Sequence, residues 1–220
     1  TWNKKENKIR NLFGVLKKIR RNKYDLAINV QRFFATGLLT AFSGAGKTIG
    51  FDKNPLSFLF SKKINHIFNL QQPKHEVERN NELIRDFTDN VITKPMMYPS
   101  AKDEHSILQY VTDKFVTMTP SSVWFTKKYP AEKWIDLINK FDPAYNIYLL
   151  GGKDNIEECK WIADHATNKN TEVLAGNLSF LQSAALMKRA NMNYVNDSAP
   201  LHFASAVNAP VTAIFCSTIP

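Results

Sequence analysis

From Lys114 onward short apolar runs alternate regularly with longer amphipathic stretches. The pattern predicts strand 115–118, helix 131–141, strand 146–150, helix 155–166, strand 172–174, helix 180–189, strand 193–195, helix 201–207 and strand 211–215. Strands separated by single helices require crossover connections, and crossovers of this kind are right-handed and give a parallel sheet. The expectation is a Rossmann-like α/β domain, in which ligands sit beyond the carboxyl ends of the strands.

The first hundred residues carry a weaker version of the same pattern. Ile9, Leu12, Phe13, Leu16 and Ile19 recur at helical spacing and predict a helix that packs one apolar face inward. Residues 24–30 read as a strand and residues 32–43 as an apolar helix broken by Gly44-Ala45-Gly46; residues 49–51 read as a further short strand. Segment 54–64 combines Leu56, Phe58, Leu59 and Phe60 with Lys62 and Lys63, a combination that suits either core packing with a polar end or contact with a membrane interface. Residues 76–87 read as a helix, and the polar, Pro-containing stretch 90–106 as a linker. The division expected is therefore a partial Rossmann-like domain over residues 1–105, linker included, and a second partial one over 106–220.

Charge changes this picture at one place. The net charge is +9. Nine basic residues within 1–23 (Lys4, Lys5, Lys8, Arg10, Lys17, Lys18, Arg20, Arg21 and Lys23) face only Glu6, so nearly all of the excess lies in this segment, which contains the first helix. That helix is either the solvated face of a covering element or an attractor for anionic surfaces. Nucleic acid is disfavoured, because aromatics beyond Trp2 and Phe13 do not interleave with the basic residues. With 44% hydrophobic and 22% charged residues the composition is that of a globular protein. Cys159 and Cys216 lack disulfide-framework or metal-ligand spacing, which points to a reducing cytoplasm; Cys216, at a strand end, suits a place near a ligand but is expected rather to be a small buried hydrophobe. No apolar run reaches the ~20 residues of a spanning helix, and no signal segment is apparent. Beginning at Thr1 and ending at Pro220, the chain reads as an internal piece of a longer protein.

Three loops on the expected strand edge carry candidate chemistry. In Ser121-Ser122-Val123-Trp124-Phe125-Thr126-Lys127-Lys128-Tyr129-Pro130 the Ser121, Ser122 and Thr126 hydroxyls and the Lys127 ammonium form a set of phosphate ligands. Gly151-Gly152 permits close backbone approach, and Asp154 and Glu157 open a helix where they would accept from ribose hydroxyls, although the helix dipole favours acids there in any case. Asn196-Asp197-Ser198-Ala199-Pro200-Leu201-His202 ends a strand and opens a helix whose first N–H groups suit an anion. Asp197 or Ser198 equally suits a helix cap, and His202 a core histidine.

These loops, with Tyr24-Asp25-Leu26-Ala27-Ile28-Asn29-Val30-Gln31, Ile49-Gly50-Phe51-Asp52 and Cys216-Ser217-Thr218-Ile219-Pro220, closely resemble the bacterial heptosyltransferases of glycosyltransferase family nine over nearly the whole chain. The resemblance implies a GT-B fold, two Rossmann-like domains with parallel sheets, and inverting transfer of a heptose from ADP-heptose to a lipopolysaccharide core acceptor. Other readings stay open: a GT-B enzyme with another donor, an epimerase, or a non-catalytic relative that binds a glycolipid or polyanion. By motif, Thr126 and Lys127 would hold the diphosphate, Asp197, Ser198, Ala199 and His202 the donor sugar and phosphates, Leu178 the adenine through its backbone, and Glu157 the ribose. The implied enzyme is cytoplasmic, peripheral to the inner membrane and without required cofactor or metal, its partners being the nucleotide sugar and an anionic glycolipid. It departs from the family pattern in three ways. The Gly-Asp loop that bears the family's general base is not in this sequence, so no catalytic residue is expected within the chain; Ala199 stands where Gly is common; and Cys216 and Ile219 replace two residues of the strand exit.

Overall fold

The computed structural model describes residues 7–67 and 74–217. Trp2, Lys4, Lys5 and Glu6 of the basic segment and Thr218, Ile219 and Pro220 of the strand exit lie outside the described residues. The chain forms two compact units, Thr1–Lys94 and Pro95–Pro220.

In the first unit, strands β1 (Leu26–Asn29), β2 (Lys47–Phe51) and β3 (Lys62–Ile64) lie side by side in that order, all parallel. Helix α1 (Lys8–Asn22) precedes them, α2 (Phe34–Ala41) joins β1 to β2, and α3 (Glu76–Asn81) follows β3. The core is small: Ile49, Phe51 and Leu83, with Leu26 and Ile64 against them. The inward packing expected of α1 is only partial. None of its residues is buried; Leu12, Leu16 and Ile19 are half-covered, whereas Ile9 and Phe13 remain 70% and 56% exposed.

Asn54 explains why the helix expected over 32–43 starts late. Its side-chain amide donates to the carbonyls of Gln31 (3.0 Å) and Phe33 (3.1 Å), which holds those residues extended until α2 begins at Phe34. A Cβ at Gly37 would collide with the Asn54 side chain, so the glycine leaves room for this brace. Segment 54–64 divides likewise: Phe60 is buried over Gly50, while Phe58 is exposed. The helix expected over 76–87 tightens after Asn81 into a 3₁₀ stretch, Glu82–Phe87. Two adjacent asparagines, Asn80 and Asn81, are poor helix formers at that junction.

The second unit contains α4 (Ala101–Ser106), β4 (Phe115–Thr119), α5 (Ala131–Asn139), β5 (Asn146–Leu149), α6 (Ile156–His165), β6 (Thr171–Val173), α7 (Phe180–Arg189), β7 (Met192–Asn196), α8 (Ala199–Ala206) and β8 (Val211–Ile214). Its strands form one parallel sheet in the order β6-β5-β4-β7-β8. Every residue of β4 is buried, as a central strand covered on both faces must be. One apolar cluster centres on Phe115, Tyr148, Leu174 and Leu186, another on Met118, Trp134, Leu149 and Ile162. Asn193, fully buried in β7, is satisfied by the Thr117 hydroxyl and by the carbonyls of Met187 (2.9 Å) and Pro210 (2.8 Å).

The stretch read as a linker, 90–106, spans the division between the units. Its C-terminal part is α4, started by a Ser100–Asp103 capping box and tied to α7 by Glu104–Arg189 at 2.8 Å.

Candidate functional site

In the second unit the chain passes from β4 outward through β5 to β6, then returns to the other side of β4 for β7 and β8. The loops leaving β4 and β7 therefore diverge, and a crevice opens between them at this reversal of strand order. A cavity of about 490 Å³ occupies that place. Ser121, Ser122 and Val123 line it from the β4 loop, Gly151, Gly152, Asp154 and Asn155 from the β5 loop, Leu178 and Phe180 from the entry to α7, and Ser198, Ala199 and Pro200 from the start of α8. Thr119, also in the lining, is buried with no hydrogen-bond partner for its hydroxyl.

Buried polar contacts hold these loops in place. The Asn196 side chain, at the end of β7, donates to the Pro120 carbonyl (2.7 Å) and accepts from the Tyr129 N–H (3.2 Å), so one amide fixes both ends of the β4 loop. The Lys127 ammonium meets the Asp197 carboxylate at 2.5 Å, and Lys128 meets Glu158 of α6 at 2.6 Å. Between these anchors the tip stays open: Val123, Trp124 and Phe125 are all largely exposed.

The start of α8 answers half of the capping question raised by the sequence. Ser198 is the N-cap, but its side chain does not cap the helix; the Ser198 hydroxyl bonds instead to the Asn196 carbonyl at 3.3 Å. With Pro in the first turn and the Ser198 hydroxyl turned back to the strand, this helix end brings main-chain donors to the cavity wall. Gly151 has an internal reason to be glycine, since a Cβ there would come within 3.0 Å of the Asn155 Cβ. Gly152 has room, and its N–H donates to Asn155 Oδ1 at 3.1 Å.

Five of the ten residues singled out from sequence line the cavity: Ser121, Ser122, Leu178, Ser198 and Ala199. The other five do not. Thr126 is exposed in a 3₁₀ turn, Lys127 and Asp197 are engaged with each other, His202 is exposed one turn into α8, and Glu157 points into solvent beside Lys160 at 3.5 Å. Asp154, rather than Glu157, is the acid on the cavity wall. Sequence reasoning passed over Asn196 as an organiser, though a polar amide closing a buried strand is a readable sign of a side chain that must find partners. It also passed over Phe180, which is exposed at the rim against Phe203 with ring centroids 5.3 Å apart.

The cysteines fall out differently from expectation. Burial pushes the Cys159 thiol up to about 12, whereas Cys216 is exposed rather than a core residue. Among the described residues no helix is long and apolar enough to cross a membrane, and no cluster of His, Cys, Asp and Glu is arranged to hold a metal ion.

The family model for glycosyltransferase family 9 (heptosyltransferase) matches residues 12–220, a span that includes every loop of this cavity. The chain belongs to glycosyltransferase family 9. It is 28% identical over 225 residues to lipopolysaccharide heptosyltransferase 3 of Escherichia coli, an alignment that covers 98% of this chain and 66% of that protein. The chain thus spans just under two thirds of this curated relative's length. Among solved structures, the E. coli ADP-heptose lps heptosyltransferase II has a TM-score of 0.77 at 19% identity, covering 94% of this chain and 67% of that one. The E. coli heptosyltransferase WaaC with ADP-2-deoxy-2-fluoro heptose has a TM-score of 0.70 at 21% identity, covering 96% and 68%. These structural likenesses show the GT-B fold, each of whose two units here carries a parallel sheet.

Proposed function

We infer that this chain is the greater part of an inverting heptosyltransferase, with an ADP-heptose donor held by the second unit and a lipopolysaccharide core acceptor served by the first. The observation that carries the reading is the cavity at the β4/β7 divergence, where the Ser121 and Ser122 loop meets the start of α8. The relative named for ADP-2-deoxy-2-fluoro heptose supports the choice of donor, and the curated relative's name supports the choice of acceptor.

In this reading the α8 main-chain N–H groups and the two serine hydroxyls receive the diphosphate, and the apolar wall of Leu178 and Phe180 takes the base. Lys127 lies against Asp197, and in this reading the pair faces the donor sugar. A carboxylate beside a diphosphate would repel it, so Asp197 takes sugar hydroxyls while Lys127 stands between carboxylate and phosphate. There it becomes more useful as the anomeric C–O bond breaks and charge gathers on the leaving diphosphate. Lys127 and Asp197, like Thr126, His202 and Glu157, lie outside the cavity lining and take these roles only if their segments move toward the ligand. The first unit, with its basic helix α1, suits an anionic glycolipid and a place at the cytoplasmic face of the inner membrane.

The test is calorimetric titration of ADP, UDP, GDP and adenosine into the protein and its Lys127→Ala variant. ADP should bind in preference to UDP and GDP, and the substitution should weaken ADP about tenfold or more while leaving adenosine nearly unchanged. Binding of UDP or GDP without ADP would overturn the heptosyl donor; equal effects on ADP and adenosine would remove Lys127 from the phosphate site.

A further inference from the structure

The loop that leaves β4 is pinned at both ends and unheld between them. At one end the Pro120 carbonyl accepts from the Asn196 amide (2.7 Å). At the other the Tyr129 N–H donates to the same side chain (3.2 Å), the Tyr129 ring meets Trp134 edge-on at 5.6 Å, and Lys128 meets Glu158. From Ser121 to Thr126, among the described residues, no side chain makes a hydrogen bond or an ion pair. The main-chain bonds there are those of a local turn, from the Lys127 N–H to the Trp124 carbonyl (3.0 Å) and from the Lys128 N–H to the Phe125 carbonyl (3.1 Å). That unheld tip is apolar. Val123, Trp124 and Phe125 are 94%, 68% and 89% exposed, and neither apolar cluster of the unit includes them.

Consecutive large apolar side chains left to water on so short a loop call for a partner. Their position supplies one. Val123 already belongs to the lining of the cavity of about 490 Å³, and Phe180, on the rim at the entry to α7, is exposed as well. A tip closed over an unfilled cavity would leave its rings above a void, where contacts are lost; closed over a ligand, it gains the ligand's surface. The ligand therefore shifts the balance between open and closed loop. We propose that residues 123–125 form a lid, hinged beside Pro120 and Tyr129, that closes across the mouth of this cavity when a nucleoside diphosphate is bound. Thr126 and Lys127 follow the tip directly in the chain, so the swing that lowers Trp124 and Phe125 brings both toward the diphosphate. The Lys127 ammonium meets Asp197 and a phosphoryl oxygen at once, having donors to spare. The ligand class rests on the transferase reading; the hinge does not.

Tryptophan fluorescence of the full chain tests the lid. The difference between the parent spectrum and that of Trp124→Phe isolates the emission of Trp124. Saturating ADP should move that emission to the blue and shield it from acrylamide, whereas adenosine, which lacks the diphosphate, should do neither. The lid should also slow escape. In stopped-flow displacement of a fluorescent ADP analogue, Trp124→Ser and Phe125→Ser should each raise koff about tenfold and leave kon nearly unchanged, because an open loop does not hinder entry. Phe58→Ser, at a comparably exposed aromatic of the first unit, should change neither rate. All three positions are exposed, so thermal unfolding of each serine variant should match the parent.

The failures are distinguishable. Trp124 that stays as open to acrylamide with ADP bound as without it, or a koff indifferent to both tip substitutions, would overturn the lid and leave the donor reading standing. Shielding by adenosine as complete as that by ADP would overturn the diphosphate as the group to which the lid responds. UDP or GDP that bound in place of ADP and shielded Trp124 would overturn the donor and keep the lid. A chain that bound no nucleoside diphosphate at all by calorimetry would overturn both.

Discussion

Two parallel sheets in one chain each open a cavity beyond the carboxyl ends of their strands, and the two hold their charges in opposite ways. In the second unit the basic groups of the β4 loop are matched within the protein, Lys127 by Asp197 and Lys128 by Glu158, and the cavity wall is largely apolar with main-chain donors at α8. In the first unit Arg32 and Lys53 stand beside a cavity of similar volume, and among the described residues neither makes a hydrogen bond or an ion pair. Topology places a cavity at the strand ends in both cases; the pairing of a few side chains decides whether the basic groups beside it are matched within the protein.

The units also differ in what supports the cavity, and the largest effect should appear there. Leu149 is fully buried in β5 between two helices' worth of apolar contacts, so Leu149→Ala should cost ~2–5 kcal/mol. Leu26, in the small core of the first unit, is only half-covered, and its removal should cost less. Denaturant unfolding followed by the fluorescence of Trp134, which lies in the second unit's core, should show a lower midpoint for Leu149→Ala and an unshifted one for Leu26→Ala. Equal shifts would mean that the two frames melt together and that the comparison of separate supports is wrong.

A smaller effect should isolate the site from its frame. Asn196→Ala removes two hydrogen bonds and strands the buried Pro120 carbonyl, a loss of ~1–3 kcal/mol in loop ordering. ADP affinity should fall about tenfold, whereas the resistance of the first unit to proteolysis should not change. A simultaneous loss of both would show that Asn196 supports the fold at large rather than the β4 loop.

How much of this was readable beforehand follows from the same contrast. In the second unit strands buried on both faces alternate with helices, so apolar runs such as Phe115–Thr119 mark the sheet, and the alternation also placed helix 180–189, which the structure starts with a Ser179–Gln182 capping box. Residues main-chain-bound to a helix start or a glycine turn, such as Ser198 and Gly151, were legible because their types are restricted by backbone geometry. What the sequence concealed depends on side chains meeting across long separations: Lys127 with Asp197, Asn196 with Pro120, Asn54 with Gln31. Nothing in local spacing reveals that Lys127 is matched by an acid 70 positions later, or that Glu157 faces solvent while Asp154 lines the cavity. In the first unit, helix periodicity in α1 predicted an amphipathic element correctly but not how little of it would be covered.

The smallest expected effect concerns acid, and it again sets the units apart. In the second unit the Ser100 hydroxyl, then the Ser100 backbone N–H, donate to the Asp103 carboxylate and hold its pKa below the ordinary value; in the first, the Lys62 ammonium does the same for Asp86. A lowered folded pKa means that the unfolded chain binds the proton first. Each carboxylate therefore contributes stability that is present above its unfolded pKa and lost as pH falls through the folded one. Thermal melts of Asp103→Asn and Asp86→Asn should thus lie slightly below the parent at pH 7 and converge with it near pH 2, and a gap persisting at pH 2 would assign the loss to something other than the charge. Salt then distinguishes the two. Asp86 is exposed and answers a full charge, so about 1 M NaCl at pH 7 should close most of its gap. Asp103 answers neutral donors one turn away, and its gap should survive the salt.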